Sequence, residues 1–166
     1  MKALVTYYSE TGNTEKLAQG IYDGIKEAKK ELIKFGELDG VDGYDVVFIG
    51  FPVQGHGVPE KMAKFIKGLP KGKKVAFFAT HGSLRGGALA ITAFYEAVTL
   101  ASDLTVLGTF GCRGKVKSKI IEGLMKKAEH KAWAQEAQSA LDHPDSADIE
   151  DVQEFADQMI SKGRTL

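Results

Sequence analysis

The chain is 166 residues long, room for one domain with a proper core, and is 43% apolar and 27% charged, as ordinary soluble globules are. Its 22 basic and 22 acidic residues cancel, which argues against a general nucleic-acid binder, and no apolar stretch approaches the ~20 residues that a membrane span requires. Cys112 is the single cysteine, so an internal disulfide and a Cys-rich metal or iron–sulfur site are excluded. A core strand starts at once with no room for a signal peptide ahead of it, and a reducing cytoplasm is the expected compartment.

The first element is an apolar strand, Ala3-Leu4-Val5-Thr6-Tyr7. It runs into Tyr8-Ser9-Glu10-Thr11-Gly12-Asn13-Thr14, and then into a helical pattern with Leu17, Ala18, Ile21, Ile25 and Ala28 on one face. Ser9, Thr11 and Thr14 bring hydroxyls and Asn13 an amide to the start of a helix, where the macrodipole and the first N–H groups favour an anion. The loop has no lysine or arginine. It suits a phosphate that stays bound while something else reacts; the plainer alternative is a βα turn with a threonine cap.

Further strands are predicted at Leu32–Phe35, Val46–Ile49, Val75–Ala79 and Thr105–Phe110, mostly continuous apolar runs of the kind found in parallel strands covered on both faces. Helices alternate with them, one facing inward through Met62, Phe65, Ile66 and Leu69, another through Ala90, Phe94, Ala97, Val98 and Ala101. The expected fold is α/β, a doubly wound five-stranded parallel sheet. Ligands of such sheets sit outside the carboxyl ends of the strands, which points to loops 9–14, 50–59 and 80–87, joined by 111–115. The tail carries two helical patterns, about 116–140 and 147–161, split by His143-Pro144-Asp145-Ser146. One domain over 1–166 is expected, with a core at 1–110 and a helical C-terminal extension over about 116–162.

The run Ser9-Glu10-Thr11-Gly12-Asn13-Thr14, placed between the first strand and first helix, resembles the phosphate loop of the flavodoxin family, Ser/Thr-x-Thr-Gly-Asn-Thr. The resemblance extends by element order from Met1 to Phe110. It implies the strand order 2-1-3-4-5, bound flavin mononucleotide (FMN), and electron transfer between redox partner proteins, a reductase donor and an enzyme acceptor. It also implies a flavin-binding role for Pro52, Val53, Gln54, Gly55, His56 and Gly57 near the N5 edge of the ring. Gly55 and Gly57 would let a backbone carbonyl turn there; a rigid strand-to-helix connector is the alternative. Thr80, His81, Gly82, Ser83 and Arg85 would face the pyrimidine edge, with Arg85 either beside N1 or solvated at a helix start.

The chain departs from the family in three ways. Many flavodoxins are acidic and this one is neutral. Neither ring loop contains Trp or Tyr, which leaves Phe51, Val53, His56 and Leu84 as stacking candidates; Trp133 lies far along the chain. A basic run, Arg113, Lys115, Lys117 and Lys119, follows the fifth strand, either facing the flavin and an acidic partner or solvated at a helix start. His56 and His81 could couple protons to electrons or merely bond backbone. Cys112 reads as a weakly activated thiol or a small buried residue. The Cys112-Arg113-Gly114-Lys115 run and His143-Pro144-Asp145 are similar to a subgroup of flavodoxin-domain proteins, some of which accompany reductases.

The leading reading is an FMN-binding electron carrier with no catalytic residue of its own and no metal, nucleic-acid or membrane partner. An FMN-dependent reductase of a quinone or similar acceptor is the alternative, and a flavin-free interaction module on the same fold is a third. A P-loop NTPase, a low-molecular-weight phosphatase and a response-regulator receiver fail for want of the required Lys, Cys and acidic residues.

Overall fold

The computed structural model describes residues 1–84 and 86–166. Five parallel strands, β1 (Lys2–Tyr7), β2 (Lys29–Lys34), β3 (Val46–Pro52), β4 (Lys74–His81) and β5 (Thr105–Arg113), form one sheet in the order β2-β1-β3-β4-β5. That is the doubly wound 2-1-3-4-5 arrangement. The α-helices are α1 (Asn13–Gly24), α2 (Glu60–Lys67), α3 (Ala88–Leu100), α4 (Ser118–Met125), α5 (Lys131–Gln138) and α6 (Ser146–Thr165).

Burial explains the sequence pattern strand by strand. β1, β3 and β4 lie in the middle of the sheet and are buried almost throughout, so they read as unbroken apolar runs. β2 is an edge strand, only half-buried, and begins at Lys29 rather than Leu32. An edge strand tolerates Lys29, Lys30, Glu31 and Lys34, and such charges discourage pairing with other chains. The apolar run alone therefore understated it.

Helices cover both faces. α1 and α6 close one core, where Leu17 and Ile21 meet Val152, Phe155 and Ile160 over Val5 and Phe48. α2 and α3 close the other, where Met62 and Ile66 meet Ala97 over Ile49 and Phe77. The contact between α1 and α6 is close: a Cβ on Gly24 would lie 2.6 Å from the backbone of Gln153. α6 thus belongs to the same buried centre as the strands, and it starts where the sequence places it. Asp145 caps it, accepting a bond from the Asp148 N–H while the Asp148 carboxylate accepts one from the Asp145 N–H.

The helical stretch expected from 116 to 140 is two short helices. α4 ends at Met125, a 3₁₀ turn covers Ala128–His130, and α5 folds back. The reason is burial: Ile121 on α4 packs with Ala134 and Ala137 on α5, and with Val116 and Trp133, as a small separate core. No Gly or Pro marks the break, so helix propensity alone runs through it.

Candidate functional site

The carboxyl ends of the strands gather the expected loops at one edge. After Tyr7 the chain turns so that the Ser9 hydroxyl accepts a bond from the Gly12 N–H (3.1 Å). Gly12 caps α1 in the left-handed region, at φ 87°, which a residue with a Cβ adopts only under strain. α1 has no side-chain cap, in contrast to the full capping box of α6. Its first N–H groups, which no helical carbonyl can reach, therefore open toward the loop. Asn13 Nδ2 donates to Thr11 Oγ1 (3.0 Å) and to the Lys115 carbonyl (2.9 Å). The Thr14 and Thr80 hydroxyls, both buried, share a bond of 2.9 Å and tie the start of α1, just after the phosphate-type loop, to the end of β4, where the third loop begins.

The second loop is a tight turn. The Gln54 and Gly57 backbones exchange N–H···O bonds of 3.1 and 2.9 Å, with Gly55 and His56 both at positive φ. Val58 N–H donates to Glu96 on α3 (2.8 Å), and Val53 N–H donates to the Thr80 carbonyl (2.8 Å), so this loop is anchored on two sides. Glu10 joins it to the first loop, accepting from the Tyr8 hydroxyl (2.5 Å) and from Gln54 Nε2 (2.8 Å). Those two bonds hold the Glu10 carboxyl below its usual range, with smaller electrostatic help from Lys117 and Lys61. The Lys61 ammonium sits 3.2 Å from the centre of the Tyr8 ring. Tyr7, beneath the first loop, donates to Glu15 (2.6 Å); burial first and that bond second push its phenol up to about 12.

In the third loop His81 is buried and its Nδ1 lies 3.1 Å from both the carbonyl and the hydroxyl of Ser83. Arg85 lies outside the described residues, and so do both readings of it. A Cβ on Gly82 would come within 2.6 Å of Val116 and 3.2 Å of the Trp133 ring. Residues 114–117 thus run between the first and third loops as a fourth wall. Elsewhere, a hollow of about 370 Å³ lined by Ile66, Leu69, Thr99 and Leu104 lies at the opposite end of β4 and β5 and brings no such set of donors together.

A family model described as "Flavodoxin domain" matches residues 4–157. The flavodoxin-like domain-containing protein BilS of Clostridioides difficile (strain CD3) is 33% identical over 175 residues, covering 98% of each chain. The chain belongs to the flavodoxin family. Among solved structures it is similar to a flavodoxin from the domain Archaea, with TM-score 0.65, 19% identity and 99% of each chain covered. It is also similar to a flavoprotein from Lactobacillus acidophilus NCFM in complex with FMN, with TM-score 0.52, 22% identity, and 66% of this chain and 92% of that one covered.

Several residues of the chain stand elsewhere than their sequence position suggests. Phe51 is fully buried, packed against Phe94, and is no stacking residue. Val53 is half-buried, while His56 at the turn tip and Leu84 are exposed. His56 and His81 occupy different surroundings, one in water and one in the interior. Trp133, far along the chain, comes back to cover Gly82, because α5 is held on the third loop where the Leu84 N–H donates to Glu136. Arg113 does not face the loops: its guanidinium bonds the Glu136 carbonyl (2.9 Å) and the Ser139 hydroxyl (2.6 Å) at the end of α5. A helix C-terminus has carbonyls to satisfy and favours a cation, so Arg113 is a helix clamp. Cys112 is buried and donates to the Arg113 carbonyl. Burial alone would push the Asp148 carboxyl up, but bonds from His143, the Asp145 N–H and Cys112 outweigh it and hold the group down. No helix among the described residues is long and apolar enough to cross a membrane.

Proposed function

We propose that this member of the flavodoxin family binds FMN with its phosphate on loop 9–14 and its ring between loops 52–57 and 80–83, and carries electrons between redox partner proteins. The observation that carries the reading is the start of α1: an uncapped helix N-terminus with Gly12 in the left-handed region, ringed by Ser9, Thr11, Asn13 and Thr14, at the end of a central strand. Family membership, and the FMN complex of a protein with the same fold, support it.

The residues present fit the group. The N–H groups of the first turn of α1, with the loop hydroxyls, would hold the phosphate by charge-assisted bonds. The turn at Gln54–Gly57, anchored by Glu96 and by Thr80, would hold one ring edge at a fixed place; Ser83 and the backbone of 81–83 would face another. When bound, FMN supplies the reversible uptake of electrons, and the chain supplies binding and orientation. We read the protein as a carrier, a role in which no side chain is required as a nucleophile or general base; the assays below separate it from a reductase.

The experiment is the visible spectrum of purified protein after incubation with FMN and desalting, followed by assays of the loaded protein. Persistent flavin bands, with electron delivery to a protein acceptor and no steady-state oxidation of NAD(P)H with quinone, are expected. Rapid quinone turnover would move the assignment to a reductase, and no retained flavin would leave only an interaction module.

A further inference from the structure

The chain is neutral overall, but its charge is unevenly placed. Residues 115–131 hold Lys115, Lys117, Lys119, Lys126, Lys127 and Lys131 against Glu122 and Glu129, a net +4 in a chain of net zero, so the remainder carries −4. All six lysines are exposed, and none forms a salt bridge among the described residues. Folding does not account for them: Lys117 caps α4 and Lys119 lies in its first turn, where the helix dipole disfavours a cation.

Their position does account for them. The Lys115 carbonyl holds the Asn13 amide at 2.9 Å, and Gly114 approaches so closely that a Cβ would lie 2.9 Å from Asn13 Nδ2. Lys117 lies close enough to Glu10 on the first loop to help hold its carboxyl down. The basic segment therefore begins beside the proposed flavin site at Lys115 and continues over the helix pair whose second member, α5, packs against Gly82 and Leu84. Ile120, 48% exposed, stands among these lysines and adds an apolar contact.

The geometry points to the basic segment 115–131 as the docking surface for an acidic redox protein. The proposal rests on the electron-carrier reading, since a donor or acceptor must approach the flavin mouth, and it names the partner's chemistry. Complementary charge steers encounter and orients the complex. A protein partner fits better than a phosphate polymer, because Glu122 and Glu129 interrupt the basic run and the rest of the chain is net acidic. Its polarity is the reverse of the acidic face expected of many family members.

The test uses ¹⁵N-labelled full-length protein, flavin-free and FMN-loaded, titrated with an acidic plant-type [2Fe–2S] ferredoxin, whose paramagnetism broadens nearby amide signals. Broadening confined to 115–131 and the adjoining loops, weakening about tenfold from low to high salt, is expected. The variant K117Q/K119Q/K126Q/K127Q, on exposed side chains, should lose about tenfold in affinity, while K64Q/K67Q on α2 should not. Broadening on another face or none, an equal response to basic cytochrome c, or equal competition by a DNA duplex or phosphatidylglycerol vesicles would overturn the proposal. Ferredoxin contact by a protein that does not take up FMN would sink the carrier reading and, with it, the redox role of the surface, leaving only a site for acidic proteins. FMN uptake without ferredoxin contact would sink the docking surface alone.

Discussion

Thr14 and Thr80 allow stability and cofactor binding to be separated by one set of variants. Their hydroxyls lie 2.9 Å apart at 1% and 4% residue exposure, at a sequence separation of 66. Each hydroxyl has one proton and two acceptor sites. Without phosphate, Thr14 can donate to Thr80; with phosphate, Thr14 can donate outward while Thr80 donates to it. Thr14→Val or Thr80→Val alone keeps the shape but strands the other hydroxyl in the interior, a cost of about 1–3 kcal/mol. The double variant removes both groups and should lie close to wild type. Urea unfolding followed by circular dichroism should therefore give a coupling energy equal to the sum of the two single costs, about 2–6 kcal/mol, at an unchanged slope. FMN titration should behave differently. Any variant with Thr14→Val loses a charge-assisted bond of about 1.5–3 kcal/mol, or roughly 10–100-fold in affinity, including the stable double variant. Thr80→Val should lose much less. Single effects that add within about 0.5 kcal/mol would show that the two hydroxyls are not bonded, and the tie between the first and third loops would fall with them.

Three further outcomes follow from the packing and the charges. Gly24→Ala should destabilise by about 1–3 kcal/mol in thermal or urea unfolding, because its Cβ would meet Gln153 backbone at 2.6 Å, and this outweighs the gain of about 1 kcal/mol in helix propensity. Tyr7, with its phenol raised from 10.0 to about 12, contributes stability that is complete below pH 10 and lost as pH rises through 12. Tyr7→Phe should flatten that part of the stability–pH curve, and an unaltered curve would place the phenol in water. Arg113→Gln should leave FMN affinity unchanged at low salt while lowering the melting temperature, since its guanidinium serves the end of α5; a large affinity loss would return it to the flavin edge.

What the sequence made legible is what short range determines. The buried strands announced themselves as apolar runs, and the loop at 9–14 as a set of donors ahead of a helix, because neighbours in the chain are neighbours there. The edge strand β2 was seen only in part, since its charged residues belong in water. The site's fourth wall was foreseen only as a loop, 111–115, at the ligand edge; its contacts were hidden for a different reason. The bond from Asn13 to Lys115 spans 102 residues, and nothing local to either residue specifies it. The same holds for Trp133 over Gly82, which depends on α5 folding back on α4. Arg113 shared a basic run with the exposed lysines, yet its neighbour in space is a helix end, and periodicity could not separate the two.

The central claim is that loop 9–14 holds the phosphate of FMN, and the most direct measurement compares FMN with riboflavin, which lacks only that group. Flavin fluorescence quenching on titration into flavin-free protein yields both dissociation constants. With two or more charge-assisted bonds at about 1.5–3 kcal/mol each, FMN should bind at least about a hundredfold more tightly, and Thr14→Val should narrow the gap. Equal affinities for FMN and riboflavin would contradict the assignment of the loop.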